Sequence, residues 1–245
     1  MAAGPQGRRL TVLLAPAKLT VSLRVTGRRP DGYHLIDAEM VSLDLADTLT
    51  FGPGWGLEVV SGHDLGHVDP HDNLVGRALK AVGREARVTL AKRIPAGGGL
   101  GGGSSNAAAV LRWAGCDDDL ALAASLGADV PFCLHGGRAR VTGIGEVLSP
   151  LPFVPRAVTL AMPPFGCSTP AVYAAWDALG GPRAPGPNDL EPAALAVEPR
   201  LAAWRDGLGD ATGETPVLAG SGSTWFVPGE YEGEGRIVAR TIPRY

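Results

Sequence analysis

The chain has 245 residues, 45% hydrophobic and 19% charged, with a formal net charge of −3. That length allows one large domain or two small ones with a sizeable core, and that balance excludes a disordered chain. A weakly acidic chain with no long run of one sign argues against a nucleic-acid binder, which shows a basic face or stripe; Arg8–Arg9 and Arg28–Arg29 read as solvated pairs.

Residues 10–15 are apolar and partly β-branched and read as a buried strand. Pro16 interrupts it, and alternation over 19–25 predicts a second strand. GRRPDGYH, 27–34, reads as a turn around Pro30, Asp31 and Gly32. Residues 35–49 look extended, with Asp47 closing the strand. A loop-rich stretch follows over 52–70, with a short strand at 57–60, and apolar spacing predicts a helix over 73–85. Strand character returns over 86–94, before the glycine-rich run and a helix at 106–114. A short helix at 118–126 ends at Gly127, and 138–147 reads as a hairpin turning at Gly143 and Gly145.

Prolines cluster over 150–155 and mark a boundary, giving units of 10–149 and 150–245. Beyond it, strands are expected at 157–161 and 216–227, and helices at 171–178 and 191–205. Strand-rich first and mixed later is the order of an α+β protein, not of a doubly wound parallel sheet.

No stretch reaches the ~20 apolar residues that span a bilayer, so no membrane association is expected. The opening MAAGPQGRRL lacks the apolar run of a secretory signal. Cys116, Cys133 and Cys167 are widely spaced without a CxxC pair, so they read as reduced thiols of a cytoplasmic protein. His63, His67 and His71 are four apart, but Gly62, Gly66 and Pro70 oppose a helix there. A surface loop is therefore expected instead of a zinc site, and His135 reads as a loop residue.

The run IPAGGGLGGGSSN, 94–106, carries the chemistry. Glycine permits positive φ and lets a ligand approach the main chain. The helix that follows offers free N–H groups and a positive dipole end to a phosphate. Ser104 and Ser105 add hydroxyls that can bind phosphate or magnesium. A linker is disfavoured by the flanking strand and helix. Walker A chemistry needs Lys before Ser/Thr, and Gly103 stands there. Gly97, Gly99 and Gly102 also satisfy GxGxxG, with Asp117 to Asp119 downstream, so a dinucleotide loop stays open on spacing alone.

PAGGGLGGGSSNA resembles the ATP-binding loop of the GHMP kinases, which include galactokinase, homoserine kinase and mevalonate kinase. APAKL, 15–19, resembles their first-strand motif, and GADVPF, 127–132, their catalytic aspartate motif. GRRPDGYH is similar to the base-reading turn of the branch that acts on a cytidylated methylerythritol. Fainter echoes are DNLVGRAL from Asp72, GIGEVLSPL from Gly143, NDLEP from Asn188 and AGSGSTWF from Ala219. Thr20 stands where the family usually has Asn, and the 113–127 stretch and the segment after Phe226 are short.

The resemblance implies a two-domain α+β fold, with a ribosomal-protein-S5-like N-terminal domain and a ferredoxin-like C-terminal domain. It implies a small-molecule kinase using ATP and Mg²⁺, with Lys18 and Asp129 catalytic. ATP would lie against Pro95, Gly97, Gly98, Gly99, Leu100, Gly101, Gly102, Gly103, Ser104, Ser105 and Asn106. Thr20, Tyr33, His34, Thr169 and Tyr173 would hold a cytidylated methylerythritol, Tyr33 by stacking and His34 through a ring nitrogen. A monomer or weak homodimer is expected. Read singly, Asp129 before Pro131 is also an ordinary helix N-cap, and Lys18 an exposed strand lysine.

Overall fold

The computed structural model describes residues 10–61 and 73–245; the His63, His67 and His71 loop lies outside them. Two long strands organise the rest. β1 (Thr11–Arg28) and β2 (His34–Gly52) form an antiparallel hairpin. Its turn closes as the Arg29 N–H donates to the Tyr33 carbonyl (2.7 Å) and the Gly32 N–H to the Arg29 carbonyl (3.0 Å). Gly32 has φ +93°, which a residue with a Cβ rarely adopts.

Pro16 does not interrupt the first strand. β1 runs through it, and the register shifts between Pro16 and Lys18. Proline has no N–H for the ladder, and a bulge is where a strand tolerates that loss. Asp47 does not close the second strand either. β2 continues to Gly52, and Asp47 is fully buried within it.

β3 (Gly56–Ser61) pairs in parallel with β4 (Arg87–Lys92), which pairs antiparallel with β2. α1 (Leu74–Ala81) lies between them in sequence, with the Asn73 side chain accepting from the Val75 N–H. α2 (Gly102–Ala114) starts four residues before the expected position, so Gly102 to Ser105 are helical. α3 (Leu120–Leu126) and α4 (Val130–His135) follow, and His135 closes α4 where a loop residue was expected. β5 (Arg138–Gly143) and β6 (Val147–Pro150) form the predicted hairpin, with β5 on the free edge of β2.

The remaining elements are β7 (Ala157–Ala161), α5 (Thr169–Ala178), α6 (Glu191–Val197), α7 (Leu201–Thr212), β8 (Val217–Leu218), β9 (Trp225–Pro228) and β10 (Arg236–Ile242). The single helix expected over 191–205 is two, because Pro199 lacks a helical N–H and falls between them. The single strand expected over 216–227 is also two, separated by the loop 219–224. β10 was not anticipated. It pairs with β7 along most of its length and then with β2 at Thr241 and Ile242, joining the two groups of strands.

Helix α2 is buried along Ala107 to Leu111. Its alanines let it sit close to the hairpin sheet, in a core with Phe51, Leu90 and Phe132. A smaller cluster of Leu19, Leu43, Ile94, Leu100, Leu160 and Phe226 fills the junction between the strand groups. Among the described residues no helix is long and apolar enough to cross a membrane, and the three cysteines are free thiols.

Candidate active site

The β1 bulge determines where Lys18 points. A bulge redirects the side chains that follow it, and here the lysine turns inward and is buried. Its backbone N–H donates to the Leu100 carbonyl (3.0 Å), fastening β1 to the glycine loop. Its Nζ donates to Thr20 Oγ1 (3.1 Å) and lies 3.4 Å from Asp129 Oδ2. Thr20 is itself buried, and its hydroxyl is the lysine's hydrogen-bond partner.

Asp129 begins α4 yet makes no capping hydrogen bond, so its carboxylate is free to face Lys18. The backbone before it is held on the other side by the β5–β6 turn. A Cβ on Gly145 would meet the Ala128 carbonyl at 2.9 Å, and Gly145 has φ +128°. Glu146 organises that turn by accepting from the Ile144 N–H (2.6 Å).

The glycine loop supplies the opposite wall. Gly97, Gly99 and Gly101 all have positive φ. A Cβ on Gly101 would sit 2.6 Å from Lys18 Cγ, so the absence of a side chain there lets the lysine pass. Gly101 also precedes α2 without any side-chain cap, leaving the helix's first N–H groups for a ligand. The loop 219–224 interlocks with it: the Thr224 N–H donates to the Gly98 carbonyl (3.1 Å). A Cβ on Gly99 would press within 2.8 Å of the Gly222 carbonyl.

These parts enclose a cleft of about 380 Å³. Of the expected residues, Lys18, Thr20, Pro95, Gly97 to Gly99, Gly101 to Ser104, Asp129, Thr169 and Tyr173 line it. Lys18 and Asp129 are its only charged lining residues among those described. Thr169 Oγ1 hydrogen-bonds Ser221 Oγ at 2.8 Å, which ties the start of α5 to the 219–224 loop.

Three loop residues expected to touch nucleotide do not line the cleft. Leu100 packs into the smaller core. The Ser105 hydroxyl donates instead to the Pro16 carbonyl (2.7 Å) and is wholly buried. Asn106 is buried within α2, its Oδ1 without a partner among the described residues.

The turn residues stand apart from that lining. Tyr33 is 60% exposed. The His34 ring stacks on Tyr173 with centroids 4.6 Å apart, and its Nε2 is 2.8 Å from Asp177 Oδ1. One of its two ring nitrogens is therefore engaged, and the expected contact with a base falls to the other. Burial, with the Asp129 charge adding to it, pushes the Tyr173 hydroxyl up, so it remains a donor at neutral pH. Burial likewise pushes the Cys133 thiol up to about 12, leaving it inert beneath the site.

Two supporting groups escaped the sequence reading. Lys92 Nζ pairs with Asp47 Oδ2 at 2.5 Å beneath the loop, and Asp47 also accepts from the Arg93 and Ile94 N–H groups (2.7 and 2.9 Å). Asn188, of the NDLEP segment, donates to the Leu218 and Gly220 carbonyls (2.8 and 2.7 Å) and so holds the second glycine loop.

A family model for the N-terminal domain of GHMP kinases matches residues 73–137, which include the glycine loop and Asp129. The 4-diphosphocytidyl-2-C-methyl-D-erythritol kinase of Paracoccus denitrificans is 42% identical over 232 residues, covering 86% of this chain and 84% of its own. The chain belongs to the 4-diphosphocytidyl-2-C-methyl-D-erythritol kinase family. The Cereibacter sphaeroides (strain ATCC 17025) member is 37% identical, with 89% and 88% covered. A crystal structure of a 4-(cytidine 5'-diphospho)-2C-methyl-D-erythritol kinase superposes with a TM-score of 0.73 at 32% identity, covering 94% of this chain and 99% of that one. A mevalonate kinase at TM-score 0.57 and 12% identity shares the fold alone. The α+β expectation and the GHMP kinase fold both hold for this family member.

Proposed function

We propose that this kinase transfers the γ-phosphoryl group of ATP to the 2-hydroxyl of 4-diphosphocytidyl-2-C-methyl-D-erythritol, a step towards isoprenoid precursors. The observation that carries the reading is the Lys18–Asp129 pair, 3.4 Å apart in the cleft beside the uncapped start of α2. Phosphoryl transfer asks mainly for positioning and charge compensation. ATP would lie along the loop with its phosphates at the N–H groups of α2 and the Ser104 hydroxyl. Asp129 takes the proton of the attacking hydroxyl as that oxygen bonds to the γ-phosphorus and ADP leaves. Lys18 offsets the charge that builds on the oxygen.

Magnesium fits this arrangement as a partner of the nucleotide. Among the described residues no cluster of three His, Cys, Asp or Glu side chains could hold an ion alone. Ser104 would help to hold the ion beside the nucleotide, and the ion would offset phosphate charge. Thr20, Thr169 and Tyr173, which line the cleft, would hold the acceptor, and Tyr33 with His34 would take the base. We assign residues 10–149 to an ATP-binding and catalytic unit and 150–245 to a second unit. The change of strand group between β6 and β7 supports that division, while Thr241 and Ile242 reach back to β2.

The test is ATP consumption with the cytidylated acceptor and with methylerythritol phosphate lacking cytidine. Turnover only with the first is expected. Equal turnover would leave a GHMP kinase but remove the named acceptor.

A further inference from the structure

His34 is held in a way that sets which of its nitrogens can meet a ligand. Its ring stacks on Tyr173 (4.6 Å between centroids) and makes a T-shaped contact with Trp176 (5.7 Å, 89°). Trp176 is fixed in turn by donating its indole N–H to the Pro182 carbonyl (3.0 Å). The His34 side chain is 8% exposed, and Nε2 points at Asp177 Oδ1 (2.8 Å). The other oxygen of Asp177 is 3.3 Å from Arg28 Nη1. The His34 hydrogen bond, aided by the Arg28 charge, holds the Asp177 carboxyl below its usual range, so it is ionised at neutral pH.

A carboxylate only accepts hydrogen bonds. A neutral imidazole donates from one nitrogen and accepts at the other, and the partner of one fixes the role of the other. In a neutral ring with Nε2–H committed to Asp177, Nδ1 is the acceptor, and no described residue bonds it. We infer that Asp177 is a positioning residue for base selectivity: by fixing the Nε2–H tautomer of His34, it presents Nδ1 as an acceptor suited to the exocyclic amino group of cytosine and unsuited to the carbonyl oxygen that uracil carries at that position. This rests on the proposed cytidylated acceptor. Arg28 holds Asp177 from the same turn that carries His34, and α5 supplies Asp177, Tyr173 and Trp176. The selectivity device is thus shared between the β1–β2 turn and one face of α5.

Two measurements test it. In protein labelled with ¹⁵N-histidine, the His34 ring is assigned by its loss in His34→Gln and read at a pH where it is neutral. The Nε2–H pattern is expected, and an Nδ1–H ring overturns the inference. Separately, kcat/KM is measured for the cytidylated acceptor and its uridine analogue in wild type, Asp177→Asn and Asp177→Glu. Asparagine offers a donor as well as an acceptor and frees the ring to change tautomer. The cytidine-over-uridine ratio should fall about tenfold or more in Asp177→Asn, with KM for ATP unchanged, and recover in Asp177→Glu. A ratio preserved while both substrates slow alike would reduce Asp177 to a structural part. If wild type used neither acceptor, the proposed function would fall, and the ring measurement would still decide the tautomer.

Discussion

The two ends of the site are built from different material. The proposed phosphate end is mostly backbone: positive-φ glycines, an uncapped helix start and a second loop interlocked with the first. Of its two charged side chains, Lys18 is held by Thr20 and passes through the space that Gly101 leaves, and Asp129 faces it. The proposed base end is mostly side chain, with Tyr33 exposed on a turn and His34 oriented by α5. Backbone amides recognise a phosphate wherever it occurs, whereas a base must be read by groups of defined donor and acceptor pattern. Changes at the first end should therefore act on chemistry, and changes at the second on acceptor affinity.

The largest expected effect is at the phosphate end. Asp129→Asn keeps the shape and removes the proton acceptor, so kcat should fall ~10²–10⁴-fold. ATP affinity by calorimetry should hardly change, because the proposed phosphate contacts come from the loop and not from that carboxylate. Near-normal kcat in a folded variant would remove Asp129 from the chemistry.

At the base end Tyr33→Ala should leave kcat and the KM for ATP in place. Stacking on a base is typically worth ~1–3 kcal/mol, so KM for the cytidylated acceptor should rise ~5- to 150-fold. Tyr33 is 60% exposed, which favours the lower part of that range. A loss of ATP affinity instead would put the turn at the wrong end of the site and break the division drawn above.

Legibility in the sequence follows the same split. The glycine run, Lys18 and Asp129 sit in contiguous motifs whose chemistry is local, and the structure gathers them into one cleft. What escaped depends on contacts between distant positions. Asp47 and Lys92 are 45 residues apart, and nothing local marks either as half of a buried pair. Asp177 looked like any helix surface residue until α5 was set beside the turn 143 positions away. Pro16 seemed to end a strand because its missing N–H is a local fact, while the bulge that tolerates it depends on β2. β10 buries only Ala239 and Thr241, exposes Ile237 and Arg240, and is recruited by partners on both sides, which its own pattern does not announce.

The adjacent serines sharpen the comparison inside the loop itself. By sequence Ser104 and Ser105 were equivalent hydroxyls for a phosphate. In the structure Ser104 lines the cleft, whereas Ser105 points away and donates to the Pro16 carbonyl at 2.7 Å. That bond joins the start of α2 to the β1 bulge, two residues before Lys18. Ser104→Ala should weaken nucleotide binding by ~1 kcal/mol, about fivefold in Kd, and leave stability alone. Ser105→Ala should do the reverse. It leaves the Pro16 carbonyl without its partner, at ~1–2 kcal/mol of stability, or a few degrees in Tm for a chain of this size. Calorimetric titration and thermal unfolding of both variants decide the matter. If Ser105→Ala lost ATP affinity at unchanged Tm, that hydroxyl would have to turn into the cleft when nucleotide binds, and the phosphate end would be less fixed than its backbone suggests.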